Sequence, residues 1–187
     1  MDKILFINAC ARPDSRTLAL AQTLLQKLGG EVQEVHLQEK PLPALNAQGL
    51  AKREQAARNR DHSDPMFDPA KQFADADIIV VAAPYWDLMF PAVLKCYWEQ
   101  ITVSGLTFCY SPEGRPEGRC RAKALHYVTT AGGFIGHNDF GFSYVKALAQ
   151  GFFGIPEVKR YAAEGLDLVG ADTDAILENA KKAILQP

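Results

Sequence analysis

The sequence predicts an α/β domain, a parallel sheet with helices on its faces, and three observations carry that expectation. Ile78-Ile79-Val80-Val81-Ala82-Ala83 is uninterruptedly apolar and breaks at Pro84. A run of that kind reads as a strand buried on both faces, which occurs mainly in parallel sheets covered by helices. Five strand-like runs alternate with stretches of helical spacing, the pattern of right-handed crossovers in a layered domain. The 187 residues suit one domain, 1–187, with a sizeable core, and the alternation is compatible with two doubly wound strand orders.

Taken in order, Ile4-Leu5-Phe6-Ile7 is a short buried strand and Asn8 to Ser15 a loop. Leu18, Ala21, Leu25 and Leu28 recur at helical spacing until Gly29-Gly30 stops the helix. Val32, Val35 and Leu37 mark a weaker strand nearer the sheet edge. Residues 38 to 68 hold three of the eleven prolines and the polar run Lys52 to Arg60, which reads as a solvated surface helix in a long connection, with a lid over a ligand as the alternative. Pro69 to Ala76 predicts a helix before the central strand. Beyond that strand, Pro91 suits the first position of a helix with Leu94, Trp98 and Ile101 on one face and Val93 and Tyr97 opposite. Apolar nearly all round, this helix needs cover on both sides, and a partner subunit is the expected cover. Thr107 to Tyr110 predicts a strand leading, through Ser111 to Gly118, into a hairpin or projecting loop. Ala124 to Thr130 is the fourth core strand, followed by a helix from about Phe142 to Phe153 and a strand from Val158 to Ala162. Asp172, Thr173 and Asp174 can cap a last helix whose Ile176, Ala180 and Ile184 face inward.

Composition removes several function classes. Twenty Lys and Arg against 22 Asp and Glu give a net charge of −2 with no evident basic face, which argues against nucleic acid as a partner. The apolar runs fall short of a membrane span, and Met1-Asp2-Lys3-Ile4 enters a strand pattern at once, so a cytoplasmic protein without membrane insertion is expected. Cys10, Cys96, Cys109 and Cys120 are scattered without a CxxC pair, so buried small hydrophobes are expected and no metal site.

The chemistry is expected where three loops leave the carboxyl ends of the first, third and fourth core strands. Cys10-Ala11-Arg12-Pro13-Asp14-Ser15-Arg16-Thr17 opens a helix with hydroxyls and guanidinium groups, which suits a monophosphate or, equally, a plain N-cap by Ser15. No G-x-G-x-x-G or Walker pattern is present. Pro84-Tyr85-Trp86-Asp87-Leu88 supplies planar side chains, and Thr130-Ala131-Gly132-Gly133 allows close backbone approach. Phosphate donors, a flat slot and a glycine ledge together describe a flavin mononucleotide site.

Pro84 to Leu88, Pro91-Ala92-Val93-Leu94-Lys95, Gly105 to Tyr110, Thr130 to Gly133 and Ala163-Glu164-Gly165 recur in an order that runs from residue 3 to about 185. In that set the chain resembles the flavodoxin-like quinone reductases and FMN-dependent NADH azoreductases. The resemblance implies a flavodoxin-like, five-stranded parallel sheet of order 2-1-3-4-5 with helices on both faces. It further implies non-covalent FMN rather than FAD, NADH or NADPH as donor, and two-electron, ping-pong reduction of quinones, azo or nitro compounds by a homodimer. Carried over by position, Cys10, Ser15, Arg16 and Thr17 lie at the phosphate, and Pro84, Tyr85, Trp86, Asp87 and Leu88 along the isoalloxazine. Thr130, Ala131, Gly132 and Gly133 edge the ring, His137 is the candidate catalytic residue, and Phe108 to Gly118 reaches toward the partner's pocket. Cys10, Asp87 and Ala131 stand where a serine, an asparagine and an arginine are frequent, departures that bear on the substrate more than on the flavin. The rival reading is a flavodoxin-type electron carrier without its own substrate; such carriers tend to be strongly acidic, which this chain is not.

Overall fold

Parallel pairing follows from strands with two apolar faces. β1 (Lys3–Asn8) lies between β2 (Glu31–His36) and β3 (Ile78–Ala82), β3 pairs with β6 (Ala124–Thr130), and β6 pairs with β7 (Glu157–Ala163), all in parallel. The computed structural model describes residues 1–186, and in it these strands form a sheet of order β2-β1-β3-β6-β7. That is the 2-1-3-4-5 order expected from the resemblance, once the separate antiparallel hairpin of β4 (Phe108–Tyr110) and β5 (Pro116–Gly118) is set aside.

Alternation along each strand feeds two cores. Ile4, Phe6, Ile78, Val80 and Val128 face α1 (Arg16–Leu28) and α6 (Thr173–Leu185). Leu5, Ile7, Ile79, Val81 and Tyr127 face the opposite side, with α3 (Asp68–Asp75), α4 (Ala92–Ile101) and α5 (Phe140–Leu148). In α1 the deepest leucines are Leu20 and Leu24, while Leu18, Leu25 and Leu28 are half-buried beside them. The apolar stripe is wide, so periodicity gave the helix but left its rotational phase open. β2 is the exposed edge strand its weak pattern suggested.

The all-round apolarity of α4 is resolved within the chain. Leu94, Tyr97, Trp98 and Ile101 are all buried, with Leu42, Met66 and Leu106 from the protein's own connections packed on the same core. α2 (Ala47–Asn59) is mostly solvated, yet its Arg53 donates to the carbonyl of Glu99 at 2.8 Å and to that of Thr102. Gln100 in turn donates to the Pro43 carbonyl at 2.8 Å. The long connection is therefore fastened to the carboxyl-terminal turn of α4, and the partner subunit invoked to cover Tyr97 is not needed for that purpose.

The helix expected over residues 142–153 begins earlier and ends differently. Asp139 caps α5 by accepting from the Phe142 N–H, and the α-helix gives way at Ala149 to a wider π-helical turn that Gly154 closes at φ 73°. That turn places Phe153 4.9 Å from Phe73, edge to face, and offers its backbone as the seat for β5.

Candidate functional site

The first loop is shaped by Asn8, whose Oδ1 accepts from the Cys10 N–H at 3.0 Å while its Nδ2 donates to Glu34 at 2.8 Å. Ser15 caps α1 by accepting from the Leu18 N–H at 3.3 Å. The Arg16 and Thr17 N–H groups, in the first turn, have no intrahelical acceptor and stand at the positive end of the helix. Thr17 is buried, and its hydroxyl shares a 2.6 Å hydrogen bond with that of Thr130, tying the first loop to the third.

The second loop is drawn to the third as well. The Tyr85 N–H donates to the Thr130 carbonyl and the Tyr85 hydroxyl to the Asn138 carbonyl, each at 3.0 Å. Trp86 and Met89 then exchange backbone hydrogen bonds around Asp87 and Leu88, whose φ values are 49° and 66°. Both central residues are left-handed, as in a type I′ turn, where Asn and Gly are favoured. A leucine there is strained by about 1–2 kcal/mol. Leu88→Gly is therefore expected to raise stability by about 1 kcal/mol, or roughly 2–4 °C in a melting curve; a lower melting temperature would show that the half-exposed leucine makes contacts worth more than the strain.

The third loop is braced by the fourth, which follows β7. The Ala131 N–H donates to the Ala163 carbonyl at 2.9 Å, and the Asp167 N–H donates to the Gly132 carbonyl at 2.9 Å. Arg160 pairs with Asp139 at 3.0 Å and with Glu164 at 2.6 Å, and Glu164 also accepts from the Ile135 N–H at 2.9 Å. These partly buried charges hold the middle and the far end of the 131–139 segment.

One cleft of about 300 Å³ results, bounded by Ser15, Arg16 and Thr17, by Pro84, Tyr85 and Trp86, and by Thr130, Ala131 and Gly132. The remaining sequence candidates lie outside its lining. Cys10 is buried beneath it with its thiol toward the Ala82 carbonyl, and burial pushes that thiol up to about 11. Asp87 and Leu88 sit in the turn at its mouth, Gly133 is exposed beside it, and His137 is exposed in a turn further along the third loop. Arg12 and Asp14 of the first loop line the cleft as well, and so do two residues that the sequence did not place there, Leu166 and Asp167. The signal for the last two was available: in an all-parallel sheet the fifth strand, which ends at Ala163, also delivers its following loop to the same edge. A hollow of about 340 Å³ between residues 42–52 and 65–69 has Lys52 as the charged group in its lining and gathers no comparable donors.

The family model described as flavodoxin-like fold matches residues 2–186. The chain belongs to the flavodoxin-like fold family. An FMN-dependent NADH:quinone oxidoreductase 2 of Clostridium acetobutylicum is 35% identical over 192 residues, covering 96% of this chain and 94% of that protein. An FMN-dependent NADH:quinone oxidoreductase of Clostridium perfringens is 32% identical over 193 residues, covering 98% and 97%. Among solved structures, an azoreductase from Bacillus anthracis superposes with a TM-score of 0.82 at 25% identity and 99% coverage of both chains. This flavodoxin-like chain thus presents at its sheet edge a donor-rich end, formed by Arg12, Arg16 and the start of α1, and a planar wall formed by Pro84 to Trp86. Such a cleft can hold an anion and a flat ring at once.

Proposed function

We propose that the chain is an FMN-dependent NAD(P)H:quinone oxidoreductase, with azo or nitro compounds as further acceptors. The observation that carries this reading is the convergence of the donor-rich first loop, the planar second loop and the Gly132 backbone on a single cleft. The residues fit FMN: two guanidinium groups and two unpaired N–H groups match a phosphate monoester, beside a wall of planar side chains for the ring.

FMN, when bound, supplies the hydride chemistry, accepting from a nicotinamide and passing two electrons to the acceptor. The protein's part is placement. Arg12, Arg16 and the first turn of α1 hold the phosphate, while Ser15 keeps that turn formed. Pro84, Tyr85 and Trp86 form the wall along the ring, and Thr130, Ala131 and Gly132 form its edge, fixed by the Thr17–Thr130 hydrogen bond. Asp87 and Leu88 turn the wall back at its mouth, Gly133 offers backbone beside it, and Cys10 packs beneath the phosphate end. His137 serves as the proton or charge partner, carried on the same segment that receives the Tyr85 hydroxyl. A homodimer belongs to this reading, since Trp86, Phe134, Phe140 and Val169 are exposed apolar side chains on the same sheet edge that a second copy can cover.

Purified protein is expected to be yellow, to release FMN on denaturation, and to reduce a quinone with NADH or NADPH in a parallel-line kinetic pattern. Arg12→Gln with Arg16→Gln is expected to weaken FMN about 100-fold, from about 1.5 kcal/mol for each charge-assisted contact, and to leave riboflavin within about threefold. Colourless protein that refuses added FMN would end this reading, whereas a yellow protein with negligible turnover would point to the electron carrier. A monomer by sedimentation would remove the dimer alone.

A further inference from the structure

Asp167 occupies the cleft in a way that the placement of FMN does not explain. Its backbone N–H is held by the Gly132 carbonyl at 2.9 Å, which fixes where the side chain starts. One carboxylate oxygen pairs with Arg16 Nη1 at 2.9 Å, across 151 residues of sequence. The other lies over Gly132, where an added Cβ would come within 2.4 Å of it. The carboxylate therefore sits between Arg16 and the Gly132 backbone, and the missing side chain at position 132 makes room for it.

From this geometry we infer that Asp167 is an internal occupant of the anion end of the cleft, competing with the cofactor phosphate for Arg16 and thereby setting which anions can enter. The inference rests on the FMN reading above. Both partners of the ion pair are substantially exposed, 43% for Arg16 and 66% for Asp167, so water screens the pair and a stronger anion can replace the carboxylate. A dianionic phosphate monoester is such an anion, because it brings more charge and more acceptor oxygens to the guanidinium than Asp167 does. A monocarboxylate gains nothing over the resident one. Asp167 thus acts as a specificity-determining residue, tuning the cleft toward doubly charged phosphate and away from singly charged metabolites.

The test is FMN and riboflavin affinity, read by quenching of flavin fluorescence on apoprotein, for the wild type, Asp167→Asn, Arg16→Gln and the double variant. Asn has nearly the same shape as Asp, so the substitution changes charge and leaves the space unaltered. Asp167→Asn is expected to bind FMN about tenfold more tightly, with riboflavin within about twofold, and the gain should shrink as potassium chloride is raised. In the Arg16→Gln background the same replacement should give a gain of about threefold or less, because the contested guanidinium is gone. FMN affinity that is unchanged or weaker in Asp167→Asn overturns the inference, as does an equal gain for riboflavin or an undiminished gain without Arg16. Wild-type protein that binds FMN alongside an unresponsive Asp167→Asn removes this inference and leaves the reductase reading standing; wild-type protein that binds no FMN removes both.

Discussion

Trp98→Ala is expected to lower the free energy of unfolding by about 4 kcal/mol, the range for deleting a large aromatic from a packed core. Trp98 is 1% exposed on α4, edge to face with Phe73 at 5.9 Å and Tyr97 at 5.6 Å, and stacked toward Phe153 at 6.4 Å. Its neighbours come from α3, from α4 itself and from the π-helical turn after α5, so the cavity would open where three separate elements meet and could not close by the shift of any one. Against a total stability of about 5–15 kcal/mol, such a loss leaves a domain near its unfolding threshold. Trp98→Phe is expected to cost about 1–2 kcal/mol, because it removes an indole N–H that has no partner in the core while keeping most of the packing. Urea denaturation followed by circular dichroism gives both values. A loss below about 1 kcal/mol for the alanine variant would mean that α4 is not centred in the chain's own core, and would restore the argument that a partner must cover it.

Gly118→Val is expected to unseat the β4–β5 hairpin. A Cβ at position 118 would lie 2.2 Å from both the Phe153 carbonyl carbon and the Gly154 nitrogen, and these are backbone atoms that cannot swing aside. Either the hairpin lifts from the π-helical turn or the turn itself deforms, at about 3 kcal/mol by analogy with overpacked cores. Hydrogen exchange at Cys109 and Glu117, the hydrogen-bonded pair of the hairpin, should then quicken well before the central strands open, since the hairpin is a separate small sheet joined to the rest chiefly at this contact. Uniform exchange across hairpin and core would show that the hairpin does not pack there. Because exposed Tyr110 lies on β4, the same variant should also weaken any dimer that the hairpin helps to hold.

Much of this architecture was readable because burial writes itself into local pattern. The apolar run at Ile78–Ala83 could serve no other place than the sheet centre, and the Gly29-Gly30 pair ended α1 where the structure ends it. Asp172 was recognisable as a cap for the same reason, a short polar side chain just ahead of a periodic run. The three loops that meet at the cleft were legible too, as the continuations of three parallel strands. By contrast, His137 was picked by position within a family pattern, and the fold leaves it exposed outside the cleft lining. Asp167 is marked by nothing in its immediate neighbours; only the rule that every strand of a parallel sheet ends at the same edge points to the loop that carries it.

What the sequence determined by itself is the succession of strands and helices and the faces they bury, since hydrophobic periodicity is a property of each segment alone. The tertiary structure alone decided that Tyr97 is buried within the chain's own core, that Thr17 shares its hydroxyl with Thr130, and that a carboxylate 151 residues away answers Arg16. Those outcomes depend on which surfaces meet after the chain has folded back on itself, and a pairing between distant residues leaves no mark in the local spacing of either partner.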